Sequence, residues 1–268
     1  MTKISIITIN LNNKAGLEKT IMSVIGQTYT DFEYMVIDGG SEDGSVEVIT
    51  QNQDKITQWI SEKDTGIYNA MNKGINMAKG EYCLFLNSGD YLYTPEVLKD
   101  VFSLPYAQDI IYGDMMIDRD IGELEYGHSP NPLTFEGMIA GTLWHPVSFI
   151  KKSLFGKYGM YNEELKIVAD YEFFLKVLFI HNVSYKYVHI PISVFKTNGI
   201  GSLEKYDALH RQEKLSVQLK YFSPLVIDGA NRFNELKRSE VISAGNWLRG
   251  KPMLYKIMLK LYKIVKAL

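Results

Sequence analysis

Four short apolar runs dominate the first 115 residues: "KISIITIN", "FEYMVID", "EYCLFLN" and "DIIYGD". Each is rich in Ile, Val, Tyr or Phe, and reads as a buried strand. Helix-like stretches lie between them. Leu17, Ile21, Val24 and Ile25 share one face at helical spacing, followed by "GSVEVITQN" and "GIYNAMNKGINMAKG", the last closed by Gly80 as a helix stop. Strand alternating with helix predicts an α/β fold, a parallel sheet covered on both faces. Ligands of such sheets sit beyond the carboxyl ends of the strands. Asn10, Asp38 and Asp90 stand at three strand ends and are expected to line one crevice.

The pattern changes after about Tyr126. "HSPNPLTFEGMIAGTLWHPVSFIKKSLF" predicts turns, a short helix and a strand; "YNEELKIVADYEFFLKVLFIHN" a turn and a strong helix; "VSYKYVHIPISVFKTNGIGS" a strand and a glycine-bearing loop. From Leu203 the chain is mostly helical. The expected organisation is one domain over 1–203, in two halves (1–115 and 116–203), and a helical extension over 204–268. The net charge of −2 argues against a generic nucleic-acid surface. A single cysteine, Cys83, inside an apolar run, fits a core position and a reducing, cytoplasmic setting. No secretory signal and no 18-residue apolar span is evident. The tail "KPMLYKIMLKLYKIVKAL" has no acid, and Lys256, Lys260, Lys263 and Lys266 form one cationic stripe. It reads as a basic amphipathic helix for peripheral contact with a membrane surface, or as a terminal helix packed on the domain.

The crevice carries no glycine-rich fingerprint after its first strand: "TINLNNKAG" is neither a dinucleotide loop nor a P-loop. It offers acids and short polar side chains instead. A diphosphate beside acids needs a hard cation between them, so Mg²⁺ or Mn²⁺ is expected, with Asp90 as carboxylate ligand. In "FLNSGD", Asn87 and Ser88 are small and polar, and Gly89 allows close backbone approach. The same stretch also reads as a plain turn with Asp90 capping the next helix. Asp38 in "VIDGGSEDGS" is either an acceptor for a nucleobase N–H or an Asx-turn, and Asp43 or Ser45 a helix cap. In "ADYEFFLKVLF", Asp170 heads the apolar face of Phe173, Phe174, Val177 and Leu178, as a helix cap or as a general base. Glu172 and Lys176 read as a solvent-facing pair. His145 and His189 read as structural histidines.

Taken together, "ISIITINLNN", "VIDGGSEDGS", "SEKDTGIYNAMNKGINMAKGEYCLFLNSGD", "HPVSFIKKSLF" and "ADYEFFLKV" resemble, in order, the motifs of inverting family 2 glycosyltransferases of the GT-A fold, over residues 3–202. The resemblance implies a Rossmann-like nucleotide-binding half, a nucleotide-sugar donor (usually a UDP-sugar), a divalent metal, and a glycan or lipid-linked acceptor. Carried over by position, Thr8 and Asn10 lie beside the nucleotide and Asp38 binds the base. Asp64 and Asn72 belong to the next nucleotide-side segment, with Lys73 a phosphate neighbour. Asp90 is the last acid of an Asp-x-Asp-type metal motif, and Asp170 is the base. The chain departs from the pattern at Asn87 and Gly89, where acids are common, so the metal would rest mainly on diphosphate and water. A metal-light variant would use Lys73 or the 196–202 loop, whose glycines are expected to let it fold over the donor. Two other readings compete: a non-catalytic nucleotide-sugar-binding or scaffolding protein, and a nucleotidyltransferase, which would want a glycine- and arginine-rich first loop.

Overall fold

The computed structural model describes residues 2–197, 203–239, 247 and 249–267. The loop expected to fold over a donor falls largely at 198–202, outside the described residues. Nine strands form one sheet. Its first half is parallel: β1 (Ile4–Asn10) lies between β2 (Phe32–Asp38) and β4 (Tyr82–Asn87), with β3 (Gln58–Ser61) outside β2. The strands end in step, Asn10 opposite Asp38, Asp38 opposite Ser61, and Ile9 opposite Asn87. Every polar side chain placed last in a strand therefore emerges at one edge.

Alternation assigns the rest. Ile7, Ile9, Met35, Ile37, Cys83 and Phe85 face one core layer with α3 (Ile67–Met77). Ile4, Ile6, Tyr34, Val36, Leu84 and Leu86 face the other, with α1 (Lys14–Ile25), α2 (Ser45–Gln51) and α4 (Val97–Phe102). Cys83 is fully buried, and burial pushes its thiol up to about 12, so it behaves as a small hydrophobe.

The second half of the sheet is mixed. After the two-residue β5 (Tyr91–Leu92), β6 (Ile110–Asp118) pairs with the hairpin strand β7 (Glu125–Gly127) and with β8 (Ser148–Lys151), both antiparallel. It pairs in parallel with β9 (Tyr185–Lys196). β8 joins β4 to β6, so the sheet is continuous. The expected division at 115/116 falls inside β6; one hydrogen-bonded strand carries residues of both halves. Around this half lie α5 (Phe135–Ala140), α6 (Lys152–Tyr158) and α7 (Ala169–Leu175), which continues as a π turn over Lys176–Ile180.

The extension begins with α8 (Asp207–Tyr221) and α9 (Pro224–Arg238). Both are built onto the domain. Glu213, buried, accepts the backbone N–H of Lys166 and Ile167 at 2.8 and 3.0 Å. Gln218 donates to the Ile139 carbonyl and to the Tyr171 hydroxyl. Glu172 was expected to face solvent; it is buried beneath α8 and bonded to Lys220 and Tyr221. Lys176 turns instead to the Tyr158 carbonyl. The helical spacing of these two residues is right, but α8 covers the face they stand on. The last helix, α10 (Pro252–Ala267), leaves Met253, Leu254, Ile257 and Leu261 exposed. No helix among the described residues is long and apolar enough to cross a membrane.

Gly80 is not the helix stop, since α3 ends at Met77. Its N–H reaches Ser5 Oγ (2.8 Å) and the buried carboxylate of Glu33 (2.9 Å). A Cβ there would stand 2.6 Å from the Ser5 backbone nitrogen and 2.7 Å from the Ile4 carbonyl carbon. Backbone inside a central strand has nowhere to go. Gly80→Ala is expected to destabilise the protein by about 1–3 kcal/mol, read as a lower urea midpoint at unchanged m-value.

Candidate active site

A cavity of about 940 Å³ opens at the common strand edge. Asn10, Leu11, Gly39 and Asp64 line one end; Asn87, Ser88, His145 and Asp170 the middle; α5, α7 and α8 close the other end. Asp170 and the turn after β4, distant in sequence, thus share one space.

The turn 87–90 is held from α1. Asn13, which caps α1 through Gly16, donates to the Ser88 carbonyl at 2.8 Å. Thr20 Oγ1 accepts from the Gly89 amide at 3.0 Å and contacts the Asp90 carbonyl at 2.7 Å. Gly89 has φ +108°, a left-handed conformation open to glycine. The turn drives Asp90 inward, so it does not cap α4 and does not itself line the cavity. One oxygen accepts the Lys196 amide at 3.1 Å. The other, like Asn87 Oδ1, is buried with no hydrogen-bond partner among the described residues. Burial pushes the Asp90 carboxyl up to about 7; the Lys196 amide, the His145 ring and the Asn87 backbone offset this only in part. Two unpartnered hard oxygens, one of them a carboxylate, suit a divalent cation completed by water and phosphate. The described residues hold no cluster of three His, Cys, Asp or Glu that would bind one alone.

Asp170 lies in the first turn of α7. Its Oδ1 accepts from the Tyr171 amide (2.9 Å) and stands 3.0 Å from the Tyr68 hydroxyl; its Oδ2 is 2.9 Å from His145 Nδ1. Burial, then the Asp170 charge, raises the Tyr68 phenol far above its ordinary value, so it stays a neutral donor. On the far side of the imidazole, Asn87 Nδ2 is 3.3 Å from Nε2. An amide N–H donating to Nε2 leaves the ring proton on Nδ1, directed at Asp170. His145 has both ring nitrogens engaged, as a structural histidine does, and it joins the acid of α7 to the end of β4. The sequence signal was its place, just ahead of a strand that pairs with β4. His189 is exposed, edge-on to the Tyr187 ring.

Other expected residues stand elsewhere. Asp38 is fully buried behind Gly39. Asn10, Ser41 and Ser61 side chains and the Gly40 and Ser41 amides all donate to it. Burial alone would raise its carboxyl, but these donors outweigh it and hold it below the usual range. Its acceptor capacity is filled from within, so of the three strand-end residues only Asn10 lines the cavity. Thr8 points into the α1 layer, bonded to the Tyr34 hydroxyl at 3.0 Å. The strand's two-residue period puts it on Asn10's face but one pleat too deep. Asn72 clasps the 161–163 segment through Tyr161 and Glu163. Lys73, adjacent on α3, pairs with Asp64 (2.6 Å) and Glu62 (2.8 Å), and does not line the cavity. Several lining residues went unseen in sequence, among them Tyr68 on α3, Lys166 ahead of α7, and His210 and Lys214 on α8.

Comparison with known proteins follows this geometry. A family model described as glycosyl transferase family 2 matches residues 5–164. An uncharacterized glycosyltransferase of Mycobacterium tuberculosis is 34% identical over 208 residues, covering 74% of this chain and 77% of its own. A PGL/p-HBAD biosynthesis glycosyltransferase of Mycobacterium bovis is 28% identical over 201 residues, covering 73% and 77%. Among solved structures, S. aureus TarS 1–349 with UDP-GlcNAc matches at TM-score 0.61 and 19% identity. That match covers 74% of this chain but only 59% of that one. The mannosyltransferase PcManGT of Pyrobaculum calidifontis, with GDP-Man and Mn²⁺, matches at TM-score 0.55 and 13% identity, over 94% and 80%. At these identities the two structures speak for the fold, which is GT-A.

The half-orphaned Asp90 sets a stability test. Its carboxyl binds a proton more tightly in the native than in the unfolded chain. Native stability therefore falls as pH rises between about 4 and 7, and stays lowered above 7. With a chelator present, Asp90→Asn is expected to raise Tm at pH 8, about 2–4 °C for each kcal/mol recovered, and to change little at pH 4. Equal Tm values at both pH values would show that this carboxylate is not strained.

Proposed function

The chain belongs to glycosyl transferase family 2, and from that premise we propose that it is an inverting enzyme, moving a sugar from a nucleotide-sugar, a UDP-sugar in the first instance, to a hydroxyl of a glycan or lipid-linked acceptor of the cell envelope. The observation that carries the reading is the shared cavity, with Asp170 on one wall and Asn87 and Ser88 of the β4 turn on the other, bridged by His145. The complexes of TarS with UDP-GlcNAc and of PcManGT with GDP-Man support a nucleotide-sugar donor.

In this reading the nucleoside lies against Asn10, Leu11, Gly39 and Asp64. Asp38 acts beneath them, fixing the loop that carries Gly39. Lys73 balances Asp64, and Asn72 fixes the segment leading to α7. The diphosphate lies over Asn87, Ser88 and Gly89. Asp90 Oδ2 and Asn87 Oδ1 would hold a Mg²⁺ or Mn²⁺ ion. When bound, that ion supplies positive charge beside the leaving diphosphate. Asp170 takes the proton from the acceptor hydroxyl as its oxygen bonds to the anomeric carbon. The bond from that carbon to the diphosphate breaks, and the nucleoside diphosphate leaves with the electron pair. A single displacement inverts the centre and needs no covalent intermediate. His145 and Tyr68 hold the carboxylate in line, and the Nδ1 proton keeps it from turning away.

A donor panel with Mn²⁺ tests this directly. Release of nucleoside diphosphate from one sugar nucleotide, dependent on an added acceptor, is expected; binding without turnover would favour the scaffolding reading. Asp170→Asn should bind donor nearly normally and turn over at least about a hundredfold more slowly. Near-normal turnover would remove Asp170 from the mechanism.

The membrane part of the reading rests on α10. Its side chains from Met253 to Leu261, the half-buried Tyr255 apart, are exposed, and Lys251, Lys256 and Lys260 form no ion pair among the described residues. A second copy would bring the same positive charge, whereas anionic lipid headgroups complement it. In this reading the protein works peripherally on the inner face of the cell membrane. The protein is expected to sediment with vesicles containing phosphatidylglycerol and not with phosphatidylcholine alone. Replacing the three lysines by Gln should weaken partitioning by about 100-fold, at about 1 kcal/mol per lysine.

A further inference from the structure

The two ends of the cavity differ in charge. At the strand edge the lining acid is Asp64, already paired with Lys73; in the middle stands Asp170, bonded to His145 and Tyr68. Beyond Asp170, the end closed by α8 carries no further lining acid among the described residues and three basic side chains, Lys166, His210 and Lys214. Lys214 donates to the Ala140 and Gly141 carbonyls at 2.9 Å each and lies 5.0 Å from the Tyr171 ring. An ammonium has three N–H donors, so one remains. No carboxylate lies within ion-pair distance of it among the described residues, in contrast to Lys73, Lys196, Lys220 and Lys237. Burial, with no acid opposing it, pulls this ammonium down to about 8. The Lys166 ammonium and the His210 ring likewise have no hydrogen-bond or ion-pair partner among the described residues. Between them the wall is small and apolar: Gly137, Ala140, Ile167 and Val168.

We propose that this end of the cavity is an acceptor subsite for a phosphate or diphosphate group, held by Lys214 with His210 and Lys166, the apolar wall taking the group attached to it. The proposal rests on the glycosyltransferase reading for the word acceptor, and on the cavity alone for the anion. Phosphate suits this set better than carboxylate does. No arginine lines the cavity to grip a carboxylate with two parallel N–H bonds, whereas lysine binds phosphate as a point charge. Glu213 keeps the set in register. Its buried carboxylate, on the residue next to Lys214, accepts the Lys166 and Ile167 amides and is spent on them. The shared chemistry has two sources, a lipid diphosphate or a soluble sugar phosphate.

The test is calorimetric titration of the whole protein in EDTA, which disables any metal-dependent phosphate site. The probes are inorganic pyrophosphate, geranyl diphosphate and glucose 1-phosphate. The wild type is expected to bind at least one. Lys214→Ala should weaken it at least about tenfold, the scale of one charge-assisted hydrogen bond, and Lys214→Arg should keep most of the affinity. Preference for geranyl diphosphate over pyrophosphate assigns the lipid source; preference for glucose 1-phosphate assigns the soluble one. If Lys214→Ala does not fold, Lys214→Met, which keeps the apolar stem, and His210→Ala decide in the same way. The proposal is overturned if wild type binds none of the probes, or if the variants bind them like wild type and lose only stability, which would leave Lys214 as a cap on α5. Failure of the glycosyltransferase reading is separate: it appears in the wild type as no nucleoside diphosphate release from any donor.

Discussion

The contact on which the site depends is the imidazole of His145, 2.9 Å from Asp170 and 3.3 Å from Asn87. It spans the gap between a helix start and a strand end by hydrogen bonds on both sides. Both of its ring nitrogens are engaged, which sets its tautomer and its plane. A carboxylate oriented by such a ring keeps one geometry relative to the strand edge. Without the ring, Asp170 would keep Tyr68 and its neighbouring amide but lose its reference to the β4 turn.

That geometry is costly elsewhere. Asp90 and Asn87 keep unpartnered oxygens in a buried place, each worth about 1–3 kcal/mol of lost hydrogen bonding. Asp38 shows the opposite arrangement at the next strand end, with every oxygen satisfied. Two acids at one sheet edge have thus been given different work. The saturated one builds the loop; the half-orphaned one is left poised for charge. Environment makes the distinction, since the residue type is the same.

Much of the architecture was legible in the sequence, and some of the site. Short apolar runs and helical faces located β1, β2, β4 and β6 and the helices between them, because burial on both faces leaves a strong apolar signal; the edge strand β3 is only half-buried and left none. The strand-end rule found the edge but overcounted what faces the cavity. Asp38 and Thr8 are one layer behind it, and no pattern in the sequence separates a residue at the rim from one beneath it. His145 read as structural, but its partners, 25 and 58 residues away, could not be named from the sequence. Glu172 looked solvated because helical spacing describes a face without saying what will cover it. Lys214 carried no signal at all: its meaning depends on where α8 docks, and docking is decided by single buried contacts such as Glu213 with Lys166 and Ile167.

Those contacts also argue against treating α8 as an appendage. Glu213 accepts the Ile167 amide, and the Tyr68 hydroxyl shares its single proton between the Ile167 carbonyl at 2.5 Å and the Asp170 carboxylate at 3.0 Å. A chain of four bonded groups therefore runs from the extension to the acid at the centre of the cavity. Each member is buried or nearly so, where hydrogen bonds hold geometry more firmly than at the surface. Helix α8 thus has two duties that pull in one direction. It supplies the basic wall at one end of the cavity, and it steadies the segment that carries Asp170. Residues 207–221 are thus tied to the cavity and not merely appended to the domain.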